Sequence, residues 1–167
     1  MTKLIPLKSS GDLFGDFDAR LHAVDELMQT LDISTYWIAG GYLRDREAGI
    51  KHKDIDVFLP GDEPLEMAEG CHRYDLATAC VVRLGDEEVN FIRLQHRHTL
   101  ETVLRRMDIG ICQIGRTSDG KIVATQTYLD DVANKTLTIL EPPQTEHDTD
   151  HIRRVKAKFP DHRVIYA

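Results

Sequence analysis

Residues 40–56 read "GGYLRDREAGIKHKDID", a glycine pair followed by an Arg-Asp step and then two acids that flank one isoleucine. The run just before it, Tyr36 to Ala39, reads as a short buried strand, and residues 42–48 read as a helix that Gly49 is placed to stop. The glycines therefore occupy a strand-to-helix turn. Such a turn offers unpaired backbone N–H groups at a partly positive helix end, which suits a phosphate. Downstream, "DIDVFLP" reads as a strand closed by Pro60 and Gly61. Side chains alternate along a strand, so Asp54 and Asp56 share one face, about 6.5–7 Å apart along it, while Ile55 and Val57 take the other. Like charges at that spacing repel unless solvent or a metal ion lies between them. Two metal ions about 3.5–4 Å apart on such acids would clamp the attacking and leaving oxygens of a phosphoryl transfer. Each half of the pattern has a plain alternative, a common turn and a pair of solvated edge-strand acids; the combination is far less common.

Working outward, Phe17, Leu21, Val24, Leu27, Met28 and Leu31 recur at helical spacing over 16–31, with Asp16 or Asp18 available as the cap. Two β-rich runs, "CVVRL" and "VNFIRL", lie between Ala79 and Leu94 with "GDEE" between them, a hairpin pattern. Residues 99–106 are helix formers, "MDIGICQIG" is an apolar strand pattern, "TSDGK" a turn, and 121–127 its partner strand. Asp130–Lys135 is expected to be a short helix, "LEPPQTEHDTD" a polar loop, and His151–Phe159 a last helix. About five strands in a mixed sheet with flanking helices indicate an α+β, or mixed α/β, domain. The expectation is one domain over 1–167.

The chain has 167 residues, 41% of them hydrophobic and 29% charged, which suits a single globular core. No apolar run approaches the roughly 20 residues that cross a bilayer, and the start lacks a signal-peptide pattern, so no membrane and a cytoplasmic location are expected. Cys71, Cys80 and Cys112 form no CxxC pair and are expected to be buried, reduced thiols. A net charge of −7 argues against a long nucleic acid held by bulk charge. The basic residues Arg153, Arg154, Lys156, Lys158 and Arg163 still form a local cluster near the C-terminus.

The stretch from Gly40 to Asp56 resembles the first motif of the DNA polymerase beta-like nucleotidyltransferase superfamily. The likeness is to the head domain of class II CCA-adding enzymes and bacterial poly(A) polymerases, which carry GG-x-x-R-D followed by D-x-D. Gly40, Gly41, Arg44, Asp45, Asp54 and Asp56 stand at those positions. The resemblance implies a third carboxylate on a neighbouring strand. In "LRRMDIGICQ", Leu104 to Gln113, that acid is Asp108, as a metal ligand or a ribose contact, with Arg105 and Arg106 beside it as contacts to triphosphate or ribose. Met107 intervenes where the class II pattern is R-R-D. A neck helix opening with E-D-x-x-R follows in the class II enzymes and presents an edge to the incoming base. Asp150 and Arg153 fit its D-x-x-R, Thr149 replaces the glutamate, and residues 150–167 would be a short neck-like helix and tail. Charges that suit a helix dipole explain the same residues equally well.

What the resemblance implies is a small nucleotidyltransferase. It would use Mg²⁺, as two ions with Mn²⁺ as a substitute, held by Asp54, Asp56 and Asp108, to move NMP from an NTP to an acceptor hydroxyl with release of pyrophosphate. The phosphates would lie against Gly40 and Gly41 with Arg44 or Lys53 nearby, and Asp45 would orient a base or an arginine. The acceptor is left open among an RNA 3′ end, a small molecule and a protein. The alternative is a catalytically silent NTP sensor or an antitoxin-like partner-binding module on the same fold. Against it, an acid cluster is costly to keep without a compensating ion.

Overall fold

The computed structural model describes residues 3–7, 18–61, 71–73, 77–94 and 97–167. Its elements run β1 (Ile5–Pro6), α1 (Ala19–Thr30), β2 (Trp37–Ala39), α2 (Gly41–Glu47), β3 (Ile55–Leu59), β4 (Cys71–Arg73), β5 (Ala77–Leu84), β6 (Glu87–Leu94) and α3 (Leu100–Arg105). A 3₁₀ turn (Gly110–Cys112), β7 (Ile114–Thr117), β8 (Ile122–Ala124), α4 (Gln126–Asn134), β9 (Thr136–Ile139), α5 (Glu146–Lys158) and β10 (Arg163–Tyr166) complete it. Eight strands form one mixed sheet in the order β1-β8-β7-β2-β3-β6-β5-β4, and β9 pairs with β10 in a separate parallel pair. The sheet is wider than the five or so strands expected because β1 and β4, two and three residues long, are too short to show a period of two, whereas β8 falls within the strand expected over 121–127.

The sheet is two-faced by alternation. Ile38, Ile55, Val57, Leu59, Val89 and Phe91 enter one core with Leu21, Val24 and Met28 of α1. Each such side chain contributes roughly 1.5–3 kcal/mol on burial, which is what seats α1. Trp37, Ala39, Phe58 and Ile92, the intervening positions, pack instead with Leu100, Val103 and Leu104 of α3. Asp56 and Asn90 therefore share the α3 face, opposite the larger core.

Local chemistry explains the element ends. Asp18 caps α1, its Oδ1 accepting from the N–H groups of Arg20 (3.0 Å) and Leu21 (3.2 Å); Asp16 lies outside the described residues. The "GDEE" hairpin closes more tightly than expected, β5 and β6 running up to a two-residue turn in which Gly85 takes φ 61°. The strand expected across "MDIGICQIG" begins only at Ile114. Before it, Gly110 packs where a Cβ would meet Asp131 Oδ2 at 2.5 Å and Thr127 Cγ2 at 2.6 Å. Asp131, fully buried, accepts from Thr136 Oγ1 and Thr138 Oγ1, both at 2.6 Å, and from the Thr138 N–H at 3.0 Å. The last helix starts at Glu146 rather than His151. Thr145 and Asp148 form a capping box, the Asp148 N–H donating to Thr145 Oγ1 at 3.1 Å and the Thr145 N–H to Asp148 Oδ2 at 2.9 Å. Cys112 is a free buried thiol as expected. Cys80 departs from that expectation and is disulfide-bonded; the side chain of Cys71 lies outside the described residues. Among the described residues no helix is long and apolar enough to cross a membrane.

Candidate active site

β2 is followed by Gly40, whose φ of 84° and ψ of −131° place it in backbone space that side chains strongly disfavour. Its N–H donates to the Ile114 carbonyl at 3.1 Å, which ties the turn to β7. Gly41 opens α2, and a Cβ there would lie 3.5 Å from Arg44 Nη2, so the guanidinium sits directly under the turn. α2 is only seven residues long; its contribution to an anion site is the first-turn N–H groups rather than a long dipole.

The Arg-Asp step is structural as well as local. Arg44 is 6% exposed and Asp45 1% exposed. Arg44 Nε donates to Asp45 Oδ1 at 2.8 Å, Nη1 reaches Cys112 Sγ at 3.2 Å, and the guanidinium carbon lies 5.9 Å from the Phe159 ring centre. Burial pushes the Cys112 thiol up, so a neutral sulfur faces the cation. The other Asp45 oxygen, Oδ2, accepts from Lys158 Nζ of α5. Asp45, held by Arg44 of its own helix, thus fastens α2 to α5 through Lys158.

The paired acids stand at the start of β3, Asp54 just before it and Asp56 within it. β6 runs parallel to β3 with Asn90 directly across from Asp56. The Asn90 amide donates to Asp56 Oδ1 at 2.9 Å and to Asp54 Oδ2 at 3.3 Å. Lys53 Nζ is 3.9 Å from Asp54 Oδ2. Burial raises the Asp56 carboxyl to about 6; the Asn90 hydrogen bond opposes that rise and the neighbouring Asp54 charge adds to it. The acids, the glycine turn, Arg44, Asp45 and Lys53 all line one cavity of about 350 Å³. Phe58, Met107 and Cys112 complete its walls, and α5 closes it with His151, Arg154, Val155 and Lys158.

Other expected residues lie elsewhere. Asp108 follows α3 outside the cavity lining, its Oδ2 3.1 Å from His151 Nδ1. Among the described residues no group of three or more His, Cys, Asp or Glu side chains is arranged to hold a metal ion. Arg105 pairs with Glu101 at 2.9 Å along α3, and Arg106 is the exposed C-cap of that helix. Asp150 and Arg153 pair with each other at 2.5 Å and line a shallow cleft with His147 and Arg154, on the α5 face next to the one that meets the cavity. The inward face is His151, Arg154, Val155 and Lys158, at i, i+3, i+4 and i+7, which the sequence reading missed although the spacing is helical. Asn90 was missed because nothing local in the sequence registers β6 against β3.

The eight-stranded mixed sheet that carries the glycine turn and the paired acids is a fold found in other proteins. Solved structures of CCA-adding and tRNA-processing enzymes share it. The Thermotoga maritima CCA-adding enzyme complexed with tRNA superposes with a TM-score of 0.64 at 19% identity, over 92% of this chain and 41% of that one. A tRNA-processing enzyme in an apo form gives 0.65 at 16% identity, over 90% and 45%, and a CCA-adding enzyme complexed with ATP gives 0.59 at 17%, over 89% and 40%. The likeness is one of fold, and the chain spans less than half the length of these proteins. No protein family model matches the chain, and no curated protein sequence matches it.

Proposed function

We propose that this domain is an NTP-using nucleotidyltransferase that joins an NMP to an acceptor hydroxyl. The observation that carries the reading is the placement of Asp54 and Asp56 in the same cavity as the Gly40–Gly41 turn. In that reaction the acceptor oxygen bonds to the α-phosphorus, the bond from that phosphorus to the bridging oxygen breaks, pyrophosphate leaves, and the hydroxyl proton passes to solvent.

The donor set fits a hard divalent cation: two carboxylates lie side by side with one amide between them. Asp54 and Asp56 are the residues that would hold Mg²⁺ or Mn²⁺, as one ion or two. Bound there, the metal would supply positive charge for the triphosphate and for the departing pyrophosphate. This chain's own groups do the rest. The first-turn N–H groups after Gly40 receive phosphate oxygens, and Lys53 and Arg154, both lining the cavity, supply mobile cations. Arg44, held by Asp45, stiffens the floor beneath the turn. The α5 face orients the nucleotide through His151, whose Nδ1 is fixed by Asp108. These groups are preorganised, which suits a reaction that needs positioning and charge more than covalent chemistry. The acceptor is an RNA 3′ end, a small molecule or a protein hydroxyl; a net charge of −7 favours one engaged by local contacts.

A second reading, a catalytically silent NTP-binding or partner-binding module, is favoured by one observation: Asp108 is engaged by His151 and does not join the acid pair. Incubation with each of the four α-labelled NTPs, Mg²⁺ and a cell extract separates the two. Pyrophosphate release and a labelled acceptor, both abolished by Asp54→Ala, support the enzyme. Metal-dependent NTP binding with no pyrophosphate from any acceptor pool supports the silent module.

A further inference from the structure

Asn90 enters the reading above only as the amide between the two acids, yet its side chain hydrogen-bonds to both of them. Its one side-chain NH₂ group spans them, at 2.9 Å from Asp56 and 3.3 Å from Asp54. Its place in β6, directly across from Asp56 on the parallel neighbour of β3, is the place from which a third side chain reaches anything held between the two acids. An acid there would complete a three-carboxylate cluster; the chain has an amide.

An amide and a carboxylate of the same shape differ in two respects. The amide carries a donor as well as an acceptor, and rotation about its last side-chain bond exchanges Nδ2 for Oδ1. With no cation present, the donor end satisfies both acids and offsets their repulsion; with one present, the oxygen end can face it. The amide also leaves the acids with two formal negative charges instead of three. Cation affinity at oxygen sites is tuned by the number of charged ligands, and Mg²⁺ is commonly held by one or two carboxylates plus substrate phosphates. Two acids with Lys53 3.9 Å from one of them make a weak trap for a free ion and a weak source of repulsion for a triphosphate.

We propose that Asn90 is a neutral third ligand-and-positioning residue that sets the order of binding, so that the divalent cation enters with the NTP rather than ahead of it. This rests on the nucleotidyltransferase reading of the site. In such a site the phosphate oxygens supply what the missing carboxylate would have, and the protein alone holds little metal.

Mn²⁺ binding, followed from the electron spin resonance signal of the free ion, tests this with and without the α,β-methylene analogues of ATP and CTP. In the wild-type chain, Mn²⁺ alone is expected to bind weakly and at least tenfold more tightly with an analogue present. Asn90→Asp is expected to tighten Mn²⁺ binding at least tenfold without nucleotide and to lose most of the gain from the analogue. Its melting temperature, lowered by the added charge, should recover when Mn²⁺ is added. An Asn90→Asp chain that binds Mn²⁺ alone no better than wild type overturns the inference, while tight wild-type binding of the Mn²⁺–analogue pair leaves the nucleotidyltransferase reading standing. A wild-type chain that binds neither Mn²⁺ nor the Mn²⁺–analogue pair overturns both. If Asn90→Asp does not fold, Asn90→Ala decides: it should bind the Mn²⁺–analogue pair at least tenfold more weakly, and wild-type affinity there overturns the role of Asn90.

Discussion

At the scale of single residues, the acid pair carries a conflict that the fold tolerates. Burial, countered by Asn90 and aided by the Asp54 charge, lifts the Asp56 carboxyl from 3.8 to about 6. A carboxyl raised in the folded state binds its proton more tightly there than in the unfolded chain. Asp56 therefore costs nothing below about pH 4 and progressively more as the pH climbs through about 6. Asp56→Asn in the metal-free protein should raise the melting temperature at pH 7.5 and leave it nearly unchanged at pH 4. A rise of that size corresponds to at most ~3 kcal/mol, or several degrees at roughly 2–4 °C per kcal/mol for a chain of this size. An equal effect at the two pH values would refute the assignment. Gly40 poses a different conflict, one of backbone. A Cβ there would meet nothing nearer than Met107 Cε at 3.7 Å, so space is not the issue; φ 84° with ψ −131° is. Gly40→Ala should cost roughly 1–3 kcal/mol in thermal or urea unfolding, and Met107→Ala should not restore it, as it would if crowding were the cause.

At the scale of elements, α5 is what turns an acid-bearing strand into a walled cavity, and its seat is the ion pair from Lys158 to the buried Asp45. Lys158→Met keeps the length of the side chain and removes the charge. Arg44 still holds Asp45, so the loss should be about 1–3 kcal/mol. In a double-mutant cycle with Asp45→Asn, the pair should cost less than the sum of the single changes; strict additivity would show that the two do not interact. The same element marks the limit of what the sequence made legible. The glycine turn, α2 with Gly49 at its end, the acids on one side of β3 and the β5–β6 hairpin are all local patterns, governed by spacings of two, four or a few residues. The start of α5 was also local, in the Thr145–Asp148 capping box, but the polar run around it masked it. Asn90 beside Asp56, Asp108 beside His151 and the β9–β10 pair are not local. They depend on which distant strands pair and in which register, and a stretch of four residues such as Thr136–Ile139, although it alternates, is too short to tell a strand from a turn.

At the scale of the whole molecule, the cavity is built from segments far apart in the chain: the turn after β2, the start of β3, Met107 after α3, and the inner face of α5. A ligand that touches them all binds the folded state and has no counterpart in the unfolded one, so its binding must appear as stability. With an NTP analogue and Mn²⁺ at 100 times their joint dissociation constant, the gain is about 2.7 kcal/mol, a rise of roughly 5–10 °C for a chain of this size. Thermal unfolding followed by circular dichroism measures it. The rise should require both components, because a bare triphosphate lacks the cation that would join it to the acids and two carboxylates hold a bare cation weakly. It should vanish in Asp54→Ala. It should shrink in Arg154→Ala without any change in the unliganded melting temperature, since Arg154 is exposed on α5 and lines the cavity. A rise produced by the analogue alone, undiminished by a chelator, would show that the acids do not hold the metal and that the nucleotide sits elsewhere.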